Sequence, residues 1–169
     1  MTRRRLLQMV LGVGAVGAAA GGAAARFVGA GDTVGKAPTN TFAVAMTEAD
    51  WQKRLTPAQF TVLRKHGTER AGSSPLDKEY RPGIYNCAGC ELALFSSDTK
   101  FDSGTGWPSF WAPLTNAVGT TTDRSFLMVR TEAHCARCGG HLGHVFDDGP
   151  KPTGLRYCMN GVALSFRRA

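Results

Sequence analysis

The sequence predicts a mainly antiparallel β domain with two short helices before it. After Gly83 the apolar residues occur in short runs that Gly, Pro, Asn and Asp interrupt, which is typical of strands joined by turns. No regular alternation of strands with helices appears, so a thioredoxin-like or Rossmann fold is not expected. Of the 169 residues 43% are hydrophobic and 20% charged, so the chain can bury a core. The apolar runs are Ile84-Tyr85, Leu92–Phe95, Phe126–Val129, Val145-Phe146 and Val162–Phe166.

The two helices are predicted from their capping residues. Thr47-Glu48-Ala49-Asp50 resembles a capping box, and Thr56-Pro57-Ala58-Gln59 repeats the signal with proline at the first helical position. Gly67 is the expected stop of the second helix. The apolar residues at helical spacing are Trp51, Leu55, Phe60 and Leu63.

The first 45 residues predict an export signal and a linker. In residues 1–25, Arg3-Arg4-Arg5 precedes a Gly/Ala-rich apolar stretch that ends in small residues, which looks like a Tat signal. The Tat translocase would then be a partner during export, to the periplasm or another extracytoplasmic space. An uncleaved membrane anchor, or neither, remains the alternative. Residues 26–45 read as a flexible linker, and the domain covers 46–169.

The charge does not predict nucleic-acid binding. The formal net charge is +7, and the three arginines near the N-terminus supply part of it. The other basic residues are scattered, and no basic run is interleaved with aromatic residues. A solvated surface of mixed charge is expected. Nothing in the sequence calls for an obligate oligomer, so a monomer is expected.

Four of the five cysteines predict a metal site. Cys87 and Cys90 form one Cys-x-x-Cys pair, and Cys135 and Cys138 form another. Four thiolates complete the tetrahedral coordination of one Zn²⁺ and leave no open position, so the zinc would be structural. Disulfides, which an exported protein permits, and unrelated buried cysteines are the alternatives.

The fifth cysteine is the candidate nucleophile. If its segment is a strand, Arg156, Cys158 and Asn160 share one face, while Tyr157 and Met159 pack on the other. A nearby cation would lower the pKa of the Cys158 thiol and favour the thiolate. Asn160 could hold a substrate oxygen or a water molecule.

Two further motifs surround this cysteine in the predicted site. His141 and His144 follow the second cysteine pair and suit proton delivery, although hydrogen-bonded structural histidines are the alternative. Two histidines without a clear third ligand do not predict a second metal site. In the loop 101–111, the aromatic residues could line a small apolar pocket for a methyl–sulfur group. The alternative is that Trp107 and Phe110 belong to the core.

These motifs together resemble the B-type peptide-methionine (R)-S-oxide reductases, over about residues 47–166. The resemblance implies two antiparallel sheets and a zinc ion away from the reaction centre. It also implies reduction of the R epimer of methionine sulfoxide, and an exported enzyme would meet oxidised proteins as substrates. The matching motifs, in order, are Cys87-x-x-Cys90, Gly106-Trp107-Pro108-Ser109-Phe110, Cys135-x-x-Cys138, His141-Leu142-Gly143-His144-Val145-Phe146 and Arg156-Tyr157-Cys158-Met159-Asn160.

The resemblance also assigns roles to residues. Cys158 would attack the sulfoxide sulfur and become a sulfenic acid, with His144 or His141 as proton donor. Trp107 would pack against the substrate methyl group, and Asn160 would lie near the sulfoxide. Arg156 and Phe110 complete the expected substrate site.

One departure from the family pattern affects the reductant. Many members carry a resolving cysteine where this chain has Thr105. An external thiol, from a thioredoxin-like protein or a small molecule, would therefore reduce the sulfenic acid. Two other functions compete with the reductase: a zinc-ribbon-like binding module without catalysis, and a thiol–disulfide oxidoreductase that uses a Cys-x-x-Cys pair.

Overall fold

The computed structural model describes residues 42–169, which form two antiparallel sheets and two short helices. This confirms the predicted fold class. The predicted export signal and residues 26–41 of the predicted linker lie outside the described residues. From residue 42 onward, no helix combines the length and hydropathy needed to cross a bilayer. At the end of the predicted linker, the Val44 amide donates to the Arg137 carbonyl over 3.0 Å.

The elements follow one another in chain order, with two helices before nine strands. A three-stranded sheet has the order β2-β1-β9, and a six-stranded sheet has the order β3-β4-β8-β7-β6-β5. The elements are α1 Glu48–Arg54, α2 Pro57–Lys65, β1 Gly83–Cys87, β2 Ala93–Ser96, β3 Lys100–Phe101, β4 Ser109–Phe110, β5 Val118–Asp123, β6 Arg130–Cys135, β7 His141–Phe146, β8 Arg156–Met159 and β9 Leu164–Arg168.

Both helices begin at the predicted caps. The Thr47 hydroxyl accepts from the Asp50 amide, and a complete capping box joins Thr56 to Gln59. The end of α2 differs from the prediction: the helix stops at Lys65, and His66 rather than glycine takes the left-handed conformation, with φ 55°. Gly67 is needed for another reason, because a Cβ there would lie 2.9 Å from the Thr61 side chain.

The predicted strand Phe126–Val129 is wrong. A 3-10 turn covers Ser125–Leu127, and Leu127, Met128 and Val129 are exposed. The Asp123 carboxylate accepts the Ser125 amide over 2.8 Å, which ends β5 and turns the chain toward β6. β5 itself was not predicted, because its Thr-rich edge carries no apolar run.

The core lies where the sheets and helices meet. Tyr85, Phe95 and Phe110 are fully buried, and the Phe110 ring stacks on Phe95 with centroids 4.3 Å apart. Trp51 and Leu63 bury the inner faces of the two helices. The sheets therefore form a fixed frame for the side chains at their ends.

Candidate active site and metal centre

The four paired cysteines converge in the folded chain. Cys87 ends β1 and Cys135 ends β6, so each pair continues from a different sheet. Each pair lies within a turn. The Glu91 amide donates to the Cys87 carbonyl, and the Gly139 amide donates to the Cys135 carbonyl. Both turns end on a residue with positive φ, 61° at Glu91 and 67° at Gly139. These turns direct both sulfurs of a pair to one centre.

The geometry of the four sulfurs favours a metal ion over disulfides. The sulfurs of Cys87 and Cys138 are 3.7 Å apart, and those of Cys90 and Cys135 are 3.5 Å apart. A disulfide requires about 2.05 Å. All four cysteines are free and buried, and their ligand atoms lie close enough together to hold one ion.

Cys158 lies on β8, near the middle of the six-stranded sheet. In strand register it is opposite Ser109 on β4 and His144 on β7. Gly143 allows the close approach of β7, because a Cβ there would lie 2.1 Å from the Cys158 carbonyl oxygen. The sulfur is half-buried beside a pocket of about 150 Å³, which is lined by Thr68, Trp107, Arg130, Gly143, His144, Phe146, Cys158 and Asn160.

The surroundings of Cys158 raise the pKa of its thiol, contrary to the expectation from sequence. Burial is the largest cause, and the Arg156 guanidinium and the hydroxyls of Thr105 and Ser109 act in the opposite direction. Arg156 is itself held by two 2.8 Å hydrogen bonds to the Asp148 carboxylate. The cation is therefore near the sulfur, but its charge is partly neutralised.

Changing this ion pair should move the ionisation of Cys158 in opposite directions. In Arg156→Gln the cation is lost, so alkylation of Cys158 by iodoacetamide at pH 7 should slow several-fold. In Asp148→Asn the cation remains without its carboxylate, so alkylation should be faster than in the wild type. Rates measured across pH on metal-loaded protein test this. Profiles that coincide for all three proteins would contradict it.

The two candidate histidines are each held by a carboxylate. His144 Nε2 lies 2.8 Å from Asp123 Oδ2, and His141 Nδ1 lies 2.7 Å from Glu132 Oε1. The rings are 5.3 Å apart. Burial lowers the pKa of His141, and Glu132 opposes that effect. His144 lines the Cys158 pocket and also a second cavity of about 310 Å³, and His141 lines only the second cavity.

Asn160 lines the pocket, but its side chain already has protein partners. Its Oδ1 accepts the Glu69 amide over 2.9 Å, and its Nδ2 donates to the Leu142 carbonyl over 3.0 Å. One N–H of the amide is left for a molecule in the pocket. Asn160 therefore also fixes the wall of the pocket.

Sequence reasoning missed the residue that organises this wall. The Glu69 carbonyl accepts from Trp107 Nε1 over 3.2 Å, and its carboxylate accepts the Val162 amide over 3.0 Å. Burial raises the pKa of Glu69. Its segment has no apolar periodicity, so no sequence signal marked it.

The prediction that Phe110 contacts substrate is corrected by the structure. Its ring is fully buried between Phe95 and Tyr85 and does not reach the pocket. Since Trp107 is partly exposed and lines the pocket, only Trp107 of the two aromatic residues is placed to meet a ligand. β4 explains this difference, because it carries Phe110 into the core after the loop that holds Trp107.

Comparisons with known proteins agree in the part of the chain that they match. A SelR domain matches residues 55–168. Over 134 residues the chain is 53% identical to "Peptide methionine sulfoxide reductase B1, chloroplastic" of Arabidopsis thaliana, covering 79% of this chain and 66% of the relative, just under two thirds of its length. Proteins with the printed name "Peptide methionine sulfoxide reductase MsrB" match at 54% identity in Agrobacterium fabrum, over 73% of this chain and 92% of the relative. The protein with the same name in Leptospira interrogans is 52% identical, over 75% of this chain and 98% of the relative.

Proposed function

This chain belongs to the SelR family of B-type peptide methionine sulfoxide reductases, and from that premise we propose how its residues perform the reaction. The enzyme reduces the R epimer of methionine sulfoxide to methionine, which repairs oxidised proteins. The observation that supports the residue roles is the meeting of Cys158, Trp107, His144 and Asn160 around one small pocket. The pocket has room for a thioether methyl group and the atoms next to it.

In the proposed mechanism Cys158 is the nucleophile. Its thiolate attacks the sulfoxide sulfur and forms an S–S bond, and the sulfoxide oxygen takes up one proton from the site. The resulting hydroxyl passes from the methionine sulfur to the Cys158 sulfur as the S–S bond breaks, so methionine leaves as a thioether and Cys158 becomes a sulfenic acid. Cys158 thus supplies the two electrons that the sulfoxide gains.

His144 is the proposed proton donor, directly or through water. It lies opposite Cys158 in the strand register and on the same pocket, and Asp123 orients its ring. The His141 ring lies next to that of His144 and supports the proton transfer. Trp107 packs against the substrate methyl group and thereby selects the epimer. Asn160 holds the sulfoxide oxygen, and the Arg156 guanidinium favours the thiolate of Cys158.

The test is turnover of the two epimers of a methionine sulfoxide peptide with dithiothreitol. The R epimer should be consumed to completion and the S epimer should remain. Trp107→Ala should lower the turnover rate of the R epimer and reduce the ratio of the R rate to the S rate. Turnover of the S epimer alone, or of neither epimer by metal-loaded protein, would overturn the proposal.

We infer that the ion held by Cys87, Cys90, Cys135 and Cys138 is one structural Zn²⁺. With Zn–S bonds of about 2.3 Å, the sulfurs of a tetrahedral site are about 3.8 Å apart. The distances of 3.7 and 3.5 Å are close to this value. Four thiolates leave no open position for substrate, so the zinc stabilises the fold and takes no part in the reaction.

We also propose that the enzyme is exported by the Tat route and works in the periplasm or another extracytoplasmic space. The support is the basic and then apolar composition of residues 1–25. Export in a folded state would let the zinc bind in the cytoplasm. Separately, we propose that the enzyme acts as a monomer.

The proposed reductant is an external thiol, because Thr105 takes the resolving position. One thiol converts the sulfenic acid to a mixed disulfide and water, and a second releases Cys158. Thr105 Oγ1 lies 4.0 Å from Cys158 Sγ, so a cysteine at this position has its sulfur within reach of Cys158.

Thr105→Cys should therefore introduce an intramolecular disulfide after turnover. One equivalent of R-sulfoxide without reductant should give one disulfide per chain, and Cys158 should then resist alkylation. Mass spectrometry of the wild type after the same treatment should show a sulfenic acid instead. The double variant Thr105→Cys, Cys158→Ser is the control and should form no disulfide. A wild-type disulfide at Cys158 would contradict the assignment of an external reductant.

A further inference from the structure

Three of the four histidines lie together, and two of them share one carboxylate. His66 Nδ1 is 3.0 Å and His141 Nδ1 is 2.7 Å from the same oxygen, Glu132 Oε1. The ligand atoms of these three residues all lie within 4.8 Å of one another. We propose that His66, Glu132 and His141 form a second metal site, which binds Zn²⁺ reversibly and slows the reductase.

The fold holds the three ligands before any ion arrives. His66 is the left-handed residue that closes α2, which places its ring 5.2 Å from that of His141. Glu132 lies on β6, and its second oxygen accepts the Thr121 hydroxyl over 2.8 Å. Oε1 is therefore directed at the two imidazoles. Such a preformed arrangement reduces the cost of ordering the ligands.

The donor set suits zinc and leaves room for exchange. Two imidazoles and one carboxylate, with a fourth position open, are a common zinc environment. The His141 side chain is 2% exposed and that of Glu132 is 13% exposed, whereas that of His66 is 64% exposed. An ion can therefore enter from the solvent side. Zinc would bind each Nδ1 in place of the proton that faces Glu132, and each neutral imidazole would then carry its proton on Nε2.

Zinc bound here would act on the active site through His141. The His141 ring is 5.3 Å from that of His144, and within the described residues its buried Nε2 has no hydrogen-bond partner. With zinc on Nδ1, the imidazole cannot take up a second proton, so it can no longer pass one to His144. The loss of activity rests on the proposed function, but the binding of zinc does not.

Binding is measured in the Cys158→Ser background, so that the nucleophile cannot hold the added ion. Protein with its Cys₄ site filled is dialysed to equilibrium against micromolar Zn²⁺, and metal and protein are both quantified. Two zinc ions per chain are expected. His66→Asn should hold one, because asparagine tolerates the left-handed backbone but loses the imidazole. The matched control His134→Asn changes the fourth histidine and should keep two.

Activity is measured in single turnovers without thiol, because dithiothreitol binds zinc. Micromolar Zn²⁺ should slow formation of methionine at least tenfold in the wild type and in His134→Asn. His66→Asn should keep its basal rate and be insensitive to zinc. One zinc per chain in the parent protein, or two in His66→Asn, would overturn the site. Two zinc ions with an unchanged rate would overturn the inhibition alone. A protein inactive on both epimers that still loses its second zinc in His66→Asn would refute the proposed function and leave the site standing.

Discussion

Cys158→Ser should abolish reduction of methionine R-sulfoxide. A serine hydroxyl remains protonated at neutral pH and cannot take the oxygen to form a sulfenic acid, so residue 158 can no longer supply the two electrons. The four remaining cysteines are buried in the metal cluster, away from the pocket. We expect a loss on the order of 10⁴-fold or more, the scale of removing a nucleophile from an enzyme. Steady-state turnover with dithiothreitol checks the prediction.

The variant should fold normally, which separates chemistry from stability. Serine is nearly isosteric with cysteine, and the side chain is only half-buried. Zinc content and melting temperature should therefore stay close to those of the wild type. Activity that survives in a zinc-loaded variant would mean that another residue is the nucleophile.

The parts of the fold that could be predicted are those with local signals. Capping residues at Thr47 and Thr56 located both helices, and apolar runs located β1 and β2. The edge strand β5 was missed because its stability comes from pairing with β6 and not from its own apolar residues. The opposite error arose at Phe126–Val129, an apolar run that an Asx turn keeps out of the sheet.

The site shows the same division between local and distant contacts. The face shared by Arg156 and Cys158 follows from strand alternation, and the cysteine pairs follow from their spacing. The partners of the histidines could not be predicted, because they depend on register. β6 pairs with β7 around an irregularity between Ala133 and His134, which brings Glu132 opposite His144 and within reach of His141. His66 joins them because it, and not Gly67, is the left-handed residue that ends α2.

Loss of the Cys₄ metal should unfold the domain. Cys87 belongs to the three-stranded sheet and Cys135 to the six-stranded sheet, so one ion ties the two sheets together. Without the ion, four buried sulfurs at 3.5–3.7 Å lose their common partner. Structural zinc contributes about 10–16 kcal/mol in zinc-finger peptides, which is comparable to or larger than the usual stability of a whole domain, about 5–15 kcal/mol.

Cys135→Ser should therefore lose zinc and its cooperative thermal transition at neutral pH, and a strong chelator should have the same effect on the wild type. Circular dichroism and metal analysis on the same samples check this. Cys158→Ser is the matched control, since it removes a thiol without touching the cluster. Excess zinc should restore the chelated wild type but not Cys135→Ser. A Cys135→Ser protein that melts cooperatively near the wild-type temperature without metal would show that the two sheets are held together by packing alone.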